Sequence, residues 1–298
     1  MNLQLQKLHQ DFCRKQILNN CTPRTIKWYR NSFEYYAKAT KTRKIQDITQ
    51  YHLEIFFFEG ITQRKWKDTT YMSYYKAIKS FLRWCTEEGY FEVNPIEKIS
   101  KRKGKNQYIP EYYSKEKVRS ILSAVTSNYQ NDRFLFVRNY AIISTLIHSG
   151  IRKNELLRLE EDSFDFEQKV LSVKASKWNK DREIPITDNL AIALKRYVIE
   201  RNKKQPSSSQ LFISHTKKKI TEDGLNHFFN NLSELVDFKV SSHRFRHTYA
   251  TMLRRAGVDL KTISRLLGHS SIQATLIYSH VVDDDLIDTV NSKLPKFI

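Results

Sequence analysis

Cysteine is scarce: Cys13, Cys21 and Cys85 are the only three in 298 residues, an odd number with no C-x-x-C spacing. They supply neither a disulfide framework nor a zinc knuckle, and they fit a reducing, cytoplasmic setting. Long apolar runs are missing too. Phe56-Phe57-Phe58 and the interrupted stretch from Ile142 to Ile147 are core-sized, well short of the roughly 20 residues a membrane span needs. The N-terminus, with Gln4, Gln6, Lys7, His9 and Gln10 close together, lacks the continuous apolar centre of a secretory signal. Negative charge is the last shortage: 32 Asp and Glu stand against 51 Lys and Arg, a formal net charge of +19 and a pI near 9.7. What is present is core material, 40% hydrophobic residues with 17 Phe and 16 Tyr, so global disorder is excluded. A surplus of this size in a structured chain points to a polyanion, nucleic acid before a membrane surface.

Residues 1–110 carry 21 basic and 10 acidic side chains, and the remaining 188 residues carry 30 and 22. The first part is the denser in positive charge. Its basic residues lie along helical segments with aromatics between them, as in Arg24, Lys27, Trp28, Arg30, Tyr35 and Lys38, which suits a face that follows phosphates. Any one of these lysines reads as a solvated helix position; only the excess over the whole region carries weight. Apolar spacing of three to four at Ile26, Tyr29, Phe33 and Tyr36, and again at Tyr74, Ile78, Phe81 and Cys85, predicts helices, as do Leu3 to Leu18 and Thr49 to Gly60. The expected organisation is a helical domain over 1–100, a basic linker over 101–112 and a second domain over 113–298. In the second domain helices are expected from Ser114 and from Arg133 to His148, the latter stopped by Gly150. The period then shifts to alternation around Val170 to Ala175. With Arg182 to Ile186 this predicts a hairpin of two short strands about a basic turn. Helices resume at about Asn189, Thr221, Ser242, Leu260 and Ile272, the last running to Ser279.

Three segments carry candidate chemistry. On a helix from Ser242, residues Phe245, Tyr249, Met252, Leu253 and Ala256 form a buried stripe, which leaves His243, Arg246 and His247 together on another side. Histidines at i and i+4 suit zinc, but no Glu follows the first and Arg246 lies beside them, so neither metal nor cofactor is expected. Leu266-Leu267-Gly268-His269 is followed nine residues on by Tyr278; in isolation that histidine reads as a cap and that tyrosine as core. In Ser149-Gly150-Ile151-Arg152-Lys153-Asn154-Glu155, an arginine follows a helix-ending glycine, with Glu155 placed to buttress nearby backbone or basic groups. Taken alone, this is a capped turn with a solvated arginine. Near the predicted hairpin turn lie Lys174, Lys177 and Lys180.

Together these segments resemble the catalytic domain of the tyrosine recombinases, the family of phage integrases, Cre and the Xer proteins. G-I-R-K-N-E-L-L-R-L is similar to the family's first arginine box and K-A-S-K-W-N-K-D-R-E-I-P-I to its hairpin lysine box. H-R-F-R-H-T-Y-A-T-M-L is similar to its His-x-x-Arg-His box, and L-L-G-H-S-S-I-Q-A-T-L-I-Y-S-H-V to its terminal box. All four occur in family order. T-P-R-T-I-K-W-Y-R and S-F-L-R-W-C-T-E-E-G-Y-F-E-V-N-P-I look like the first and last helices of the family's core-binding domain. The resemblance implies a mainly α fold: a helical, SAM-like core-binding domain, then a mostly helical mixed α/β catalytic domain with a small antiparallel hairpin or sheet. It places Arg152, Lys177, His243, Arg246, His269 and Tyr278 in the active site, supported by Glu155 and His247. Alignment of the second strand selects Lys177 among the three lysines, although Ser176 and Trp178 stand where the family has small glycines.

The activity implied is site-specific recombination through a covalent 3′-phosphotyrosine, for integration or excision of a mobile element or for resolving DNA dimers. Two arginines would clamp the phosphate oxygens, His243 would accept the Tyr278 proton or hydrogen-bond to it, His269 would position the phosphate, and Lys177 would protonate the leaving 5′ oxygen. The expected partners are double-stranded DNA with paired inverted half-sites, further copies of the chain in a tetramer on two sites, and accessory proteins; no membrane is involved. Two other readings are a silent DNA-bridging relative and a type IB topoisomerase-like relaxing enzyme. Past the nucleophile, Asp283-Asp284-Asp285 leads into Leu286, Ile287, Val290, Leu294 and Phe297, a tail that the resemblance implies docks into a neighbouring protomer.

Overall fold

The computed structural model describes residues 3–102, 110–174 and 181–279. The chain divides into two compact units, Met1–Gln107 and Tyr108–Ile298. The expected basic linker, 101–112, straddles that division, and its residues 103–109 lie outside the described ones. The fold is mainly α-helical, with one small antiparallel sheet in the second unit. No helix among the described residues is long and apolar enough to cross a membrane.

The first unit comprises α1 (Leu3–Leu18), α2 (Pro23–Thr40), α3 (Gln50–Thr62) and α4 (Asp68–Glu87). Helix α2 starts where the sequence prescribes: the Thr22 hydroxyl accepts the Thr25 N–H at 3.2 Å, and Pro23, which has no N–H to lose, takes the first helical position. The core is aromatic, with Phe12, Phe33, Tyr36, Phe56 and Phe81 all buried. Phe12 meets Phe81 edge to face, with centroids 5.5 Å apart. His9 is stacked on Phe33 at 4.3 Å, and burial, with the nearby Arg30 charge, lowers its pKa to about 4.

In the second unit, α5 (Lys115–Tyr129), α8 (Asp188–Lys203) and α10 (Ser242–Arg255) pack around α6 (Arg133–Ser149), whose Ala141, Ile142, Ile143 and Leu146 are fully buried. Helices α7 (Lys153–Leu156), α9 (Glu222–Val236) and α11 (Leu260–Leu267) are the others among the described residues of this unit. Side-chain caps from Asp132, Thr187, Thr221, Ser241 and Asp259 start α6, α8, α9, α10 and α11. The expected hairpin is present as β2 (Val170–Val173) and β3 (Arg182–Pro185), with Leu171 opposite Ile184 and Val173 opposite Arg182. A third strand, β1 (Phe164–Asp165), joins its edge through Phe164 opposite Leu171; two residues are too few to show alternation in a sequence. The basic turn, 175–180, lies outside the described residues.

The helix expected from Ile272 to Ser279 is instead two 3₁₀ turns, Ile272–Ala274 and Leu276–Tyr278. Thr275 between them is fully buried and its hydroxyl is taken by His269 at 2.7 Å. The chain therefore tightens, with Thr275 N–H bonding the Ile272 carbonyl and Tyr278 N–H the Thr275 carbonyl.

Candidate active site

Three arginines meet at the end of α11. The last carbonyls of a helix have no partner within it and mark the negative end of its dipole, so guanidinium groups suit them. Here three consecutive carbonyls each receive a different arginine: Leu266 takes Arg182 Nε at 2.9 Å, Leu267 takes Arg246 Nη2 at 2.7 Å, and Gly268 takes Arg152 Nη2 at 3.1 Å. Arg246 also reaches the Gly150 carbonyl through Nη1 at 2.9 Å. Two glycines make the approach possible. Gly150 ends α6 at φ +59, where a Cβ would stand 2.4 Å from the Tyr249 ring. Gly268 ends α11 at φ +63, where a Cβ would meet the Arg182 guanidinium at 2.8 Å.

Glu155 organises the same cluster from α7. Its Oε2 accepts the Arg152 backbone N–H at 2.8 Å and its Oε1 accepts Arg152 Nη1 at 3.0 Å, while Arg182 adds a fork of 3.1 and 2.8 Å to the two oxygens. Burial opposes the Glu155 charge, but the Arg182 fork and the Arg152 bonds win, holding its pKa at about 2. Arg246 is 3% exposed. Burial and the charges of Arg152 and Arg182 pull its pKa down to about 9, with Glu155 and Tyr278 opposing.

The tyrosine arrives from the other side. Tyr278 is 1% exposed, its ring packed with Ala250, Ile263 and Leu267. Its hydroxyl lies 2.7 Å from Nδ1 of His247, itself 4% exposed. The His247 ring meets that of His243 edge to face at 4.4 Å. Desolvation, then His243 and Arg246, lower the His247 pKa to about 4. His269 falls to about 4 through desolvation and the nearby arginines, and the exposed His243 is lowered by the partial desolvation of its ring and by Arg246 and Arg152. All three imidazoles are thus neutral near pH 7.

Of the expected site residues, Arg152, His243, Arg246, His269 and Tyr278 converge, with Glu155 and His247 in contact with them. Lys177 and Lys180 lie outside the described residues, whereas Lys174 is paired with Glu160 at 2.8 Å. Two expectations for α10 change. Arg246 and His247 are buried along with Phe245, whereas Tyr249, Met252 and Leu253 of the expected stripe are only half-buried and Ala256 is exposed. And the imidazole on the Tyr278 hydroxyl is His247, not His243. Sequence reasoning missed Arg182, since an arginine at the end of a basic turn reads as solvated, and Thr275, whose partner His269 appears only once the chain turns back. Among the described residues no three His, Cys, Asp or Glu side chains are grouped to hold a metal ion.

The model of the Phage integrase family matches residues 111–284. A tyrosine recombinase XerC of Pediococcus pentosaceus is 30% identical over 229 residues, 74% of each chain. The XerH site-specific recombinase bound to difH substrate superposes with a TM-score of 0.72 at 20% identity, covering 94% of this chain and 82% of that one. A lambda integrase dimer bound to a COC′ core site gives 0.73 at 14% identity, covering 93% and 77%. At these identities the two structures attest the fold.

Proposed function

We infer the reaction from one premise: this chain belongs to the phage integrase family and is a tyrosine-type site-specific DNA recombinase. Its partner is DNA. Attack on a phosphodiester builds negative charge on the nonbridging oxygens, and Arg152 and Arg246 supply positive charge for them without a metal. The Tyr278 oxygen attacks phosphorus while its proton passes to neutral His247, which lies at hydrogen-bond distance. The bond to the 5′ oxygen breaks, and that oxygen takes a proton from Lys177. His243 and His269 remain neutral donors that orient the phosphate. The product is a 3′-phosphotyrosine, which keeps the energy of the ester, so the 5′ hydroxyl of another strand can reverse the step without ATP.

The convergence of Arg152, Arg246, His243 and His269 around a tyrosine hydroxyl 2.7 Å from His247 carries this reading. We assign the first unit to the grip on the duplex, because its basic excess is the denser. The functional assembly is a tetramer on two sites with inverted half-sites. A nicked suicide duplex tests the chemistry: wild-type protein becomes covalently joined to DNA, and Tyr278→Phe binds the same duplex without joining. Binding without covalent capture by the wild type would instead make the protein a silent DNA-bridging relative.

A further inference from the structure

Arg182 has no part in the mechanism above, yet it is the most committed of the three arginines. Its side chain is 7% exposed. Among the described residues its side chain bonds to Glu155 and to the Leu266 carbonyl, so its charge faces the carboxylate and not the surface. Arg152, by contrast, shares Glu155 while keeping a side chain 37% exposed. Each Glu155 oxygen therefore serves both arginines: Oε1 takes one bond from each guanidinium, and Oε2 takes one from Arg182 and one from the Arg152 backbone. A carboxylate with Arg152 as its sole cation would cancel the charge needed at the phosphate. With Arg182 present, the group of Arg152, Arg182 and Glu155 keeps a net charge of about +1, and only Arg152 can present it outward.

We propose that Arg182 is a positioning residue for strand cleavage, which neutralises Glu155 so that Glu155 can orient Arg152 without cancelling its charge at the scissile phosphate. The proposal rests on the reading of Arg152 as a phosphate clamp. Arg182 touches no reacting atom; it acts through Glu155 and Arg152. Its place at the start of β3 and its bond to the Leu266 carbonyl also fix the level at which the arginines meet the end of α11.

The test compares single-turnover cleavage of two suicide duplexes by the full-length protein, one with a normal scissile phosphate and one with a neutral methylphosphonate there. On the normal duplex, Arg182→Gln is expected to slow cleavage by about 100-fold, the scale of losing one preorganised charge donor. Half-site binding stays near wild type. On the methylphosphonate, whose nonbridging position carries no charge, the same variant should lose less than about tenfold relative to wild type. Equal losses on both duplexes, or no loss on the normal one, overturn the proposal and reduce Arg182 to packing. Arg152→Ala is the control for the underlying reading. If its defect also shrinks on the methylphosphonate, the clamp stands and only Arg182 is judged; if it does not, the clamp reading itself fails. Should Arg182→Gln not fold, Arg182→Lys decides: it keeps the charge and loses the fork, so cleavage within about tenfold of wild type supports the proposal and a loss beyond about 100-fold overturns it.

Discussion

A phenol can hand its proton to an imidazole only if that imidazole is neutral, and the surroundings of His247 ensure this. Burial, then His243 and Arg246, disfavour the imidazolium and lower its pKa to about 4. The ring is therefore uncharged at pH 7 and Nδ1 can accept a hydrogen bond from the Tyr278 hydroxyl, while full proton transfer needs the negative charge of the phosphate to offset those cations. Replacing the acceptor, as in His247→Ala, should slow covalent capture by about 100-fold while half-site binding persists, measured on the suicide duplex. The same electrostatics fix a pH dependence. His247 and His269 have pKa values lowered to about 4, so neither should give the cleavage rate an inflection near pH 6.5. A single-turnover profile from pH 5.5 to 7.5 checks this; a step near 6.5 would mean that an ordinary imidazole controls the rate. At this scale the sequence was partly readable. Glu155, three residues after Arg152, is recognisable as its buttress because the short helix brings them together. The choice between His243 and His247 was not readable, since both share one side of α10 and the deciding partner is 31 residues away.

Among the elements, the ends of α6 and α11 matter most, because their carbonyls collect the arginines. Both ends need a left-handed residue, and at Gly150 the space is filled as well: a Cβ would lie 2.4 Å from the Tyr249 ring. Gly89 has a comparable φ of +79 with nothing within 4 Å. Gly89→Ala should therefore cost only the backbone strain, about 1 kcal/mol. Gly150→Ala should cost about 2–4 kcal/mol, because overpacking adds to the strain, and it should also lower cleavage by displacing the carbonyl that holds Arg246. Chemical denaturation of the two variants separates these cases. Gly150 was legible as a helix stop from composition and period alone, as were the long helices and the hairpin. The 3₁₀ turns before Tyr278 were not, because apolar spacing at Ile272, Leu276 and Tyr278 cannot reveal that Thr275 is drawn to His269.

At the scale of the whole molecule, charge and protonation act together. His9 in the first unit, and His247 and His269 in the second, each have folded pKa values of about 4 against an ordinary 6.5. The unfolded chain then binds more protons than the folded one between those values, so stability is full above pH 6.5 and falls as pH descends towards 4. Each group contributes a slope of at most about 1.4 kcal/mol per pH unit. Thermal unfolding from pH 7.5 to 4.5 should show the midpoint falling only below about 6.5. The surplus of +19 is locally reversed at the run Asp283-Asp284-Asp285 just past Tyr278, as it is at Glu160-Glu161-Asp162, and the later run is followed by Leu286, Ile287, Val290, Leu294 and Phe297. Residues 283–297 lie outside the described ones. Three carboxylates are repelled by DNA phosphates and attracted by a chain this basic, and the apolar positions after them need cover. We propose that a second copy of the chain meets both demands, which would couple the placement of Tyr278 to assembly on two sites. Deleting residues 287–298 is then expected to leave single half-site binding within about threefold, since phosphate contacts dominate that affinity. Synapsis and cleavage should fall by about tenfold or more, the equivalent of about 1.4 kcal/mol of lost contact between protomers. Gel-shift titration on one half-site, set beside covalent capture on a full site, measures both quantities, and equal losses in the two would show that the tail serves its own subunit.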